Sequence, residues 1–393
     1  MEKSRKPKIR FKGFTDDWEQ RKVQDVADRF DNLRIPVTAN LRVHGTTPYY
    51  GANGIQDYVD GFTHDGEFVL VAEDGANDLK NYPVKCVNGR VWVNNHAHVL
   101  QGKVRIADNS FLAFAISQSD IESLLVGGGR AKLNAETLMS IEFRLPCLQE
   151  QYRIGEYLSQ LDNLITLHQR KLEKLMNVKK SMLEKMFPKQ GSKVPEIRFN
   201  GFTDDWEQRE LGNLVQFSKG NGYSKGDLRE AGTPIILYGR LYTDYETVIS
   251  DVDTYVCAKS GSVYSRGGEV IVPASGETSE DISIASVVEK PGFLLGGDLN
   301  IITPPIQLDS VFLAISISNG KPHNDMAKMA QGKSVVHLHN SDLEKIDLLF
   351  PKHDEQIRIS SFIRGVDHLI TLHQRKLEKL KNIKKSMLEK MFI

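Results

Sequence analysis

The stretch LHQRKLEKLMNVKKSMLEKMF begins at Leu167, and it returns at Leu372 as LHQRKLEKLKNIKKSMLEKMF with two changes. The repeat extends over residues 165–187 and 370–392, where 21 of 23 positions are identical. Apolar residues recur alternately about every three and four positions in both copies, which is the a/d pattern of helices that pack side by side. The chain therefore carries one lysine-rich amphipathic helix twice, and this duplication decides the fold.

A second repeat lies ahead of each helix. PKIRFKGFTDDWEQR (7–21) returns as PEIRFNGFTDDWEQR (195–209), with 13 of 15 positions identical. Weaker matches follow in the same order: GEFVLVAEDG (66–75) with GGEVIVPASG (267–276), HAHVL (96–100) with DLNII (298–302), SFLAFAIS (110–117) with VFLAISIS (311–318), and KLNAETLMSIEFRLP (132–146) with HLHNSDLEKIDLLFP (337–351). Glu-Gln then follows in both halves, at Glu150-Gln151 and Glu355-Gln356. The order predicts a duplicated chain: variable domain, helix, variable domain, helix.

The predicted seam of each helix is interrupted by one histidine and one lysine at equivalent positions. Polar residues inside such a seam usually fix register and orientation at some cost in stability. The seam residues are Leu161, Ile165, His168, Leu172, Leu175, Lys179 and Met182 in the first copy, and Val366, Ile370, His373, Leu377, Leu380, Lys384 and Met387 in the second. The simplest interpretation is that the two copies pack on one another.

The linker after the first helix predicts the direction of this packing. Only PKQGSKVP (188–195) separates that helix from the second GFTDDW segment, a reach of at most roughly 27 Å. The first helix should therefore end beside the second domain, and by the duplication the second helix should end beside the first domain. We predict an antiparallel coiled-coil spacer with pseudo-two-fold symmetry and one globular domain at each end.

The variable domains mix β-branched runs with a few helices. FVLVAE, RVWVNNHAHVL and EVIVPAS are bounded by turn residues and indicate strands. NSFLAFAISQ and DSVFLAISIS fit either short capped helices or buried strands, since periodicity alone does not separate the two. We predict an α+β fold of two such domains in tandem, each followed by a long helix. The predicted boundaries are 1–148 and 195–353 for the domains, and 149–194 and 354–393 for the spacer helices with the linker.

Composition narrows the class of protein. The net charge is zero, so any nucleic-acid surface must be local. Cys86, Cys147 and Cys257 have no C-x-x-C spacing, which argues against a zinc site or a disulfide framework and favours a reducing cytoplasm. The sequence has no apolar signal-peptide core and no apolar run of membrane-spanning length, so we expect a cytoplasmic protein.

The duplicated order, with W-E after G-F-T-D-D, a closing L-P or F-P, then E-Q and a long helix, resembles the specificity subunit of type I restriction–modification systems. The resemblance covers essentially the whole chain. It implies that each variable domain is a target recognition domain for one half of a bipartite DNA site. Because the two domains differ strongly, it implies an asymmetric target.

The resemblance also implies partners and cofactors. The helical arms would dock two methyltransferase (modification) subunits and set the gap between half-sites, and restriction (motor-nuclease) subunits would join the complex on double-stranded DNA. S-adenosylmethionine, ATP and Mg²⁺ would belong to those partner subunits. The chain itself would be non-catalytic and would bind no cofactor or membrane.

The sequence agrees that chemistry lies elsewhere. It contains no Asn/Asp-Pro-Pro-Tyr/Phe motif, and Gln331-Gly332-Lys333-Ser334 lacks the earlier glycine of a phosphate-binding loop. The pairs His96/His98 and His337/His339 would each share a strand face, but no third metal ligand accompanies them. We therefore expect no catalytic residue and no metal site.

Candidate DNA contacts are polar residues that lie in predicted loops of the variable domains. Arg and Lys suit guanine, Asn and Gln suit adenine, and Lys or Arg beside glycines suits phosphate. The candidates are Asn53, Gln56, Asn77, Lys80, Asn81, Arg90, Asn94, Asn95, Arg130 and Lys132 in the first domain, and Lys219, Asn221, Tyr223, Lys225, Arg240, Arg266 and Lys333 in the second. An ordinary turn residue is the alternative at each position. Trp18 and Trp206 are interpreted as packing anchors between domain and arm.

Two other classes of function remain open at this stage. An autonomous two-headed DNA-binding regulator would usually show a helix-turn-helix or a basic arm, and neither is evident. A non-DNA adaptor with a coiled-coil spacer would fit the zero net charge, and it would show no salt-dependent affinity for DNA. The basic excess on the helices likewise fits either a phosphate-facing rod or a solvated coiled-coil surface.

Overall fold

A computed structural model of the chain describes residues 6–127, 131–189, 191–332 and 335–392. The chain forms two compact units: Met1–Arg170 with Gln374–Ile393, and Lys171–His373. Two long helices each contribute one segment to both units. Within the described ranges, none of the helices has a hydrophobic stretch that would span a bilayer.

The elements up to the first long helix alternate short strands with three small helices. They are β1 (Glu19–Lys22), α1 (Val23–Val26), β2 (Ala27–Arg29), β3 (His44–Gly51), β4 (Gly54–Val59), β5 (His64–Ala72), β6 (Val84–Val93), β7 (Ala97–Gly102), α2 (Asn109–Ser117), α3 (Ala135–Ser140), β8 (Glu142–Leu145) and the long helix α4 (Leu148–Lys185).

The remaining elements end in a second long helix. They are β9 (Glu207–Glu210), β10 (Gln216–Lys219), β11 (Leu228–Arg229), β12 (Thr233–Ile236), α5 (Arg240–Thr243), β13 (Val248–Ile249), β14 (Tyr255–Val256), β15 (Tyr264–Arg266), β16 (Glu269–Pro273), β17 (Ser275–Gly276), α6 (Ser279–Ile282), β18 (Ser286–Val288), β19 (Pro291–Leu295), β20 (Leu299–Thr303), α7 (Ser310–Ile317), α8 (Gly320–Met329), β21 (Val336–His337), α9 (Asn340–Leu343), β22 (Asp347–Phe350) and α10 (His353–Met391).

The first unit is built on a six-stranded sheet in the order β2-β7-β5-β6-β3-β4, antiparallel except for the β3–β6 pair. Side chains of β5 alternate between two cores, as the period of a strand requires. Val69 and Val71 belong to the core that contains α2 and the helix α4, whereas Phe68 and Leu70 belong to a second core on the other face. The run FVLVAE is therefore a strand buried on both faces.

The second unit repeats this central arrangement and adds to it. Its larger sheets have five strands each, in the orders β10-β20-β16-β18-β13 and β11-β14-β12-β19-β15, and β17-β21 and β9-β22 form two-stranded sheets. Val69 pairs with Leu100 in the first unit, and Val270 pairs with Ile302 in the second, at the positions that the sequence alignment predicted. The second sheet lies largely ahead of β16 in the chain, where the second half is longer between its anchors.

The ambiguous runs are helices in both units. Asp108 caps α2 by accepting a hydrogen bond from the backbone N of Phe111 at 2.8 Å, and Asp309 caps α7 through Phe312 at the same distance. A side-chain acceptor at this position satisfies a donor that the first helical turn leaves unpaired. The aspartate caps therefore decide between helix and strand where hydrophobic periodicity could not.

In the first unit, the Glu-Gln motif fixes the start of α4. Arg10 donates two hydrogen bonds to the fully buried Glu150, at 2.7 and 2.8 Å. Gln151 accepts from the backbone N of Asp108 at 3.0 Å and donates to the carbonyl of Pro146 at 2.9 Å. The motif therefore locks the helix onto the domain before it.

The second unit contains the same lock. Arg198 donates two hydrogen bonds of 2.7 Å to Glu355, and Gln356 accepts from the backbone N of Asp309 at 2.9 Å. Gln356 also donates to the carbonyl of Pro351 at 2.8 Å. The short repeat and the Glu-Gln pair are therefore parts of one structural device.

Within each unit the two helical segments run antiparallel. In the first, the backbone N of Ile9, beside Arg10, donates to the carbonyl of Lys390 at 3.0 Å, which brings the end of α10 to the start of α4. In the second, the backbone N of Ile197 donates to the carbonyl of Lys185 at 2.9 Å, which brings the end of α4 to the start of α10. The direction predicted from the short linker is therefore observed in each unit separately.

The seam lysines lie in cross-helix ion pairs. Lys384 contacts Asp162 at 2.5 Å in the first unit, and Lys179 contacts Asp367 at 2.5 Å in the second. Leucine and isoleucine positions of the predicted seam are buried or half-buried along both helices. Each seam lysine thus has a carboxylate partner on the facing helix.

The tryptophans of the short repeat are core residues, as expected of packing anchors. The Trp18 ring lies edge-on to Phe111 and to Phe392 at the end of the chain, with ring centroids 5.9 and 6.3 Å apart. Trp206 makes the same contacts with Phe312 and Phe187, at 5.7 and 5.8 Å. Each anchor joins a domain helix to the end of an arm.

Candidate nucleic-acid interface

The first unit brings several predicted contact residues together around the turns that leave β3, β5 and β6. The Asn53 side chain donates to the carbonyl of Gly75 at 2.9 Å and accepts from the backbone N of Asn77 at 2.9 Å. Both asparagines are exposed. Asn53 thus ties two loops together, and the Asn77 amide is presented at the surface beside it.

A third turn joins this cluster through Asn94. Asn94 is buried, and its side-chain oxygen accepts from the backbone N of His96 at 2.8 Å. Its amide nitrogen lies 3.5 Å from Oε1 of the exposed Gln56, and Asn95 is exposed next to it. Asn94 therefore shapes the turn, while Gln56 and Asn95 remain accessible.

Lys80 and Asn81 belong to a separate turn organised by Asp78. The Asp78 carboxylate accepts from the backbone N of Lys80 at 3.0 Å, and from the backbone N and side chain of Asn81 at 2.9 Å each. The backbone hydrogen bond from Asn81 is the main reason that the pKa of Asp78 lies below its ordinary value. This geometry fits the turn-residue alternative for Asn81, whereas the Lys80 side chain is exposed.

Arg90 lies within β6, although the sequence suggested a loop. Its Nε is 3.3 Å from Asp65, and its guanidinium lies 4.8 Å from the centre of the Phe62 ring. Asn88 pairs with Glu67 and Arg90 pairs with Asp65, so β6 continues through NGRV. Gly89 takes a positive φ there, which glycine adopts without a steric cost. Arg90 is exposed and available to a ligand.

Lys132 is held by a carboxylate. Its Nζ lies 2.8 Å from Glu73, and the hydrogen bond that Lys132 donates to this carboxylate raises the pKa of Lys132. Glu73 also accepts from Arg34 at 2.6 Å. Arg130, the other predicted phosphate contact of this segment, lies outside the described residues, as does Lys333 in the second half.

In the second unit, the predicted contacts of SKGNGYSKG lie at the end of β10 and in the loop that follows it. Lys219, Asn221 and Lys225 are exposed, and the Asn221 side chain donates to the carbonyl of Gly261 at 3.0 Å. A Cβ on Gly220 would lie 2.0 Å from the carbonyl oxygen of Gly296, so only glycine fits this approach. The close packing of two glycine-containing loops presents these three side chains.

Tyr223 is a packing residue in the same loop. It is buried, and its hydroxyl lies 2.7 Å from the backbone N of Lys259 and 2.6 Å from the Ser262 hydroxyl. The ammonium of Lys259 lies 4.8 Å from the centre of its ring. Tyr223 therefore holds two loops together, and the exposed Lys259 is a basic group that loop composition had not singled out.

Arg240 is committed to acidic neighbours. It lies on α5 and pairs with Glu246 at 2.9 Å, Asp244 at 3.4 Å and Asp253 at 3.5 Å. Only 16% of its side chain is exposed. Arg266, in contrast, is exposed on β15.

Three polar residues of the first unit, Asp31, Arg34 and Glu73, were not identified from the sequence because their contacts are non-local. His98 was considered only as half of a possible metal-binding pair. His98 is 1% exposed, and its ring nitrogens lie 2.7 Å from Asp31 and 2.9 Å from the carbonyl of Leu133. The alternation of HAH in a strand, which faces both histidines to one side, was the available signal.

The second histidine pair has a different environment. The rings of His337 and His339 lie nearly parallel with centroids 6.5 Å apart, and Nδ1 of His337 lies 2.9 Å from the Ser275 hydroxyl. Across the described ranges, no three or more His, Cys, Asp and Glu side chains are grouped to hold a metal ion. The exposed loops of the two units therefore offer polar and cationic side chains to a ligand.

Comparison with known proteins places this geometry in a family. A family model described as "Type I restriction modification DNA specificity domain" matches residues 15–177 and again 203–382. S.HindORF215P of Haemophilus influenzae, assigned by its name to the type I restriction enzyme specificity subunits, is 30% identical over 88% of this chain and 86% of its own length.

More distant relatives agree. The MjaVIII specificity subunit of Methanocaldococcus jannaschii, a type I restriction enzyme component, is 21% identical over 95% of this chain and 91% of its own. The crystal structure of a type I restriction–modification S subunit from M. genitalium superposes with a TM-score of 0.71 over 99% of both chains at 14% identity. That likeness shows that the fold is shared.

Proposed function

The chain belongs to the type I restriction–modification DNA specificity family and carries its specificity domain twice, and we propose that each domain recognises a different half of one bipartite DNA site. The observation that carries the proposal is the shared strand register, Val69 with Leu100 and Val270 with Ile302, beneath loops of different chemistry. A duplicated scaffold with divergent loops suits two related readers with different targets. The asymmetric bipartite site follows from that difference.

The loop clusters supply the chemistry that base recognition needs. The first domain presents mainly amides, including Asn77 and Asn95, which suit adenine, and the second presents the lysines Lys219 and Lys225, which suit guanine or phosphate. Amide-rich and lysine-rich surfaces favour different base edges. This contrast supports two unlike half-sites.

The helical arms are proposed to dock two methyltransferase subunits and to set the half-site gap. Each unit exposes a leucine pair one helical turn apart on its arm: Leu164 and Leu167 are 42% and 46% exposed, and Leu369 and Leu372 are 43% and 38% exposed. Equivalent apolar steps on two copies of one helix offer equivalent contacts to two identical partners. Restriction subunits would join this assembly.

Catalysis is proposed to reside in those partners. The methyltransferase subunits would supply S-adenosylmethionine chemistry, and the restriction subunits would supply ATP- and Mg²⁺-dependent chemistry. The present chain would act in the cytoplasm as the non-catalytic component that selects the DNA sequence.

The test is single-molecule sequencing of modified adenines in cells that express the chain with a type I methyltransferase subunit. The expected result is a new split motif, methylated once on each strand, that is absent from cells without the chain. A methyltransferase that is active with another specificity subunit but leaves no new mark with this one would overturn the proposal.

A further inference from the structure

The first domain contains an ionic group, largely buried except for Lys132, that the recognition loops do not account for. We call it the ionic clasp: Asp31, Arg34, Glu73, His98 and Lys132. These residues come from four separate parts of the chain: the segment after β2, the end of β5, β7, and the segment before α3. Non-local buried charges of this kind are costly unless each is paired.

His98 lies at the centre of the clasp and faces an acceptor on each side. Its Nδ1 lies 2.7 Å from the Asp31 carboxylate, and its Nε2 lies 2.9 Å from the carbonyl of Leu133. Glu73 is a second carboxylate, 3.7 Å from Nδ1. Because a neutral imidazole has only one N–H, both contacts are satisfied only by the doubly protonated ring.

The carboxylates are held in their ionised form. Burial raises the pKa of Asp31, but hydrogen bonds from His98 and from the backbone of Val99 together bring this pKa below its ordinary value. Burial likewise raises the pKa of Glu73, and the hydrogen bonds from Lys132 and Arg34 outweigh it.

The remaining cations complete the charge balance around these carboxylates. Arg34 lies 3.6 Å from Asp31, and Arg29 lies 3.7 Å from the same carboxylate. Cations and carboxylates therefore alternate around His98.

The ionic clasp contacts one short segment, formed by Lys132 and Leu133, on both of its sides. The carbonyl of Leu133 accepts from His98, its backbone N donates to the carbonyl of Glu73 at 2.7 Å, and the preceding Lys132 pairs with the Glu73 side chain. The segment formed by Lys132 and Leu133 is thereby bound to β7 and to the end of β5. Its position depends on charges that come from elsewhere in the domain.

The second domain holds the equivalent segment without charge. Asn300 takes the place of His98 and donates to the carbonyl of Leu338 at 2.8 Å, while the backbone N of Leu338 donates to the carbonyl of Ala274 at 3.0 Å. His337 takes the place of Lys132 and contacts the hydroxyl of Ser275. The backbone contacts are conserved between the two copies, and the charges are not.

We propose that His98, Asp31 and Glu73 are positioning residues that hold the phosphate contact Lys132 in place, so that the first recognition domain keeps its register on the DNA and reads its half-site selectively. The second domain has no such ionic control. The inference rests on the proposed function, because it assigns a role within the first half-site. The charges of the ionic clasp lie away from the exposed loops, and they influence the recognition of the first half-site only.

The discriminating variant is His98→Asn, which copies the residue of the second domain. Asparagine retains a donor for the Leu133 carbonyl, as Asn300 does for Leu338, and it removes the positive charge beside Asp31. The conservative rescue is the double variant His98→Asn, Asp31→Asn, which also removes the negative charge that His98 faced. The matched control is Asn300→Gln, which leaves the second segment with an amide donor and changes no charge.

The first measurement needs no DNA. Nitrogen NMR of the full chain labelled in histidine should show hydrogens on both His98 nitrogens at neutral pH, with the resonances assigned by their loss in His98→Asn. Exchange of the Leu133 amide should be faster by about tenfold in His98→Asn and largely restored in the double variant. A singly protonated His98, or an unchanged exchange rate, would overturn the clasp.

The second measurement uses sequencing of the methylated motif. His98→Asn should broaden the bases accepted in one half of the motif, the double variant should restore much of that selectivity, and Asn300→Gln should leave that same half unchanged. Broadening in both halves, or in neither, would overturn the positioning role. If the unaltered chain leaves no mark while the NMR results hold, the proposed function fails and the clasp stands as a structural feature only.

Discussion

The strand pairs β5–β7 and β16–β20 have the same register, whereas the loops that leave them differ in almost every polar residue. The same contrast extends to the arms, since Arg10–Glu150 and Arg198–Glu355 have the same bidentate geometry. Residues that join a domain to its arm are duplicated nearly unchanged, and residues at the loop surfaces are not. The residues between a domain and its arm must therefore be equivalent in the two units, whereas the loop residues must differ.

The largest expected effect tests the equivalence of the anchors. Trp18→Ala and Trp206→Ala should each destabilise their own unit by about 4 kcal/mol, because each removes a buried aromatic that packs between domain and arm. Calorimetry of the full chain would measure both changes. Two very different losses would show that the anchors are not equivalent.

The buried ion pairs should give the next largest effect. Glu150→Gln and Glu355→Gln should each cost about 3 kcal/mol, because each leaves a largely buried guanidinium without its counter-charge. Denaturant unfolding would report the change, and Glu19→Gln, in an exposed pair with Arg21, is the control expected to have little effect. A loss of stability in only one of the two variants would contradict the equivalence of the two buried ion pairs.

The aspartate caps of α2 and α7 should both contribute to stability, and the contribution of Asp108 should depend on pH. Asp108→Ala and Asp309→Ala should each cost about 1 kcal/mol by removing a helix cap. Burial raises the pKa of Asp108 above its ordinary value, so its folded form holds the proton more tightly than the unfolded form does. Its stabilising contribution is therefore present at low pH, and it declines as pH rises from the unfolded pKa through the folded one.

The variant Asp108→Asn tests this direction of the pH dependence, because asparagine keeps a capping side chain and cannot ionise. As pH rises from below the ordinary pKa of an aspartate, the stability difference between this variant and the unaltered chain should change in favour of the variant. Thermal unfolding at a series of pH values would measure it. A difference that moves in the opposite direction would contradict the assignment to burial.

The smallest expected effect concerns the cross-helix pairs. Lys384→Met and Lys179→Met should each change stability by roughly 0.5 kcal/mol, since the pairs are partly exposed. A double-mutant cycle with Asp162→Asn or Asp367→Asn would isolate the coupling. Coupling between Lys384 and Asp162 that is absent between Lys179 and Asp367 would show that the seam is not symmetric.

Much of the fold could be predicted because the repeats are long and the buried strands alternate. The duplicated order of domains and long helices, the strands at FVLVAE and EVIVPAS and the antiparallel segments follow from local patterns and one short linker. The choice of helix over strand for α2 and α7 did not follow from periodicity, and it depended on Asp108 and Asp309 as caps. A sequence cue was present there, but it was too weak to decide.

The candidate interface was predictable only in part because it depends on contacts distant in sequence. Composition identified the exposed amides, but it could not show that Arg240 is surrounded by carboxylates or that Tyr223 is buried. Nor could it show that Glu73 and His98 fix the segment of Lys132. These contacts join residues dozens of positions apart, which a single sequence does not pair.

Exchanging one recognition domain for a second copy of the other would test whether each domain reads its own half of the DNA site. The structure supplies matched junctions, since the backbone N of Val23 donates to the carbonyl of Ile141 and that of Leu211 donates to the carbonyl of Ile346, at 3.0 and 2.9 Å. Residues 23–141 would replace residues 211–346, and adenine methylation would be sequenced with the methyltransferase subunit present. The expected result is a split motif whose two halves are the same sequence on opposite strands. A motif that keeps its original second half would contradict it.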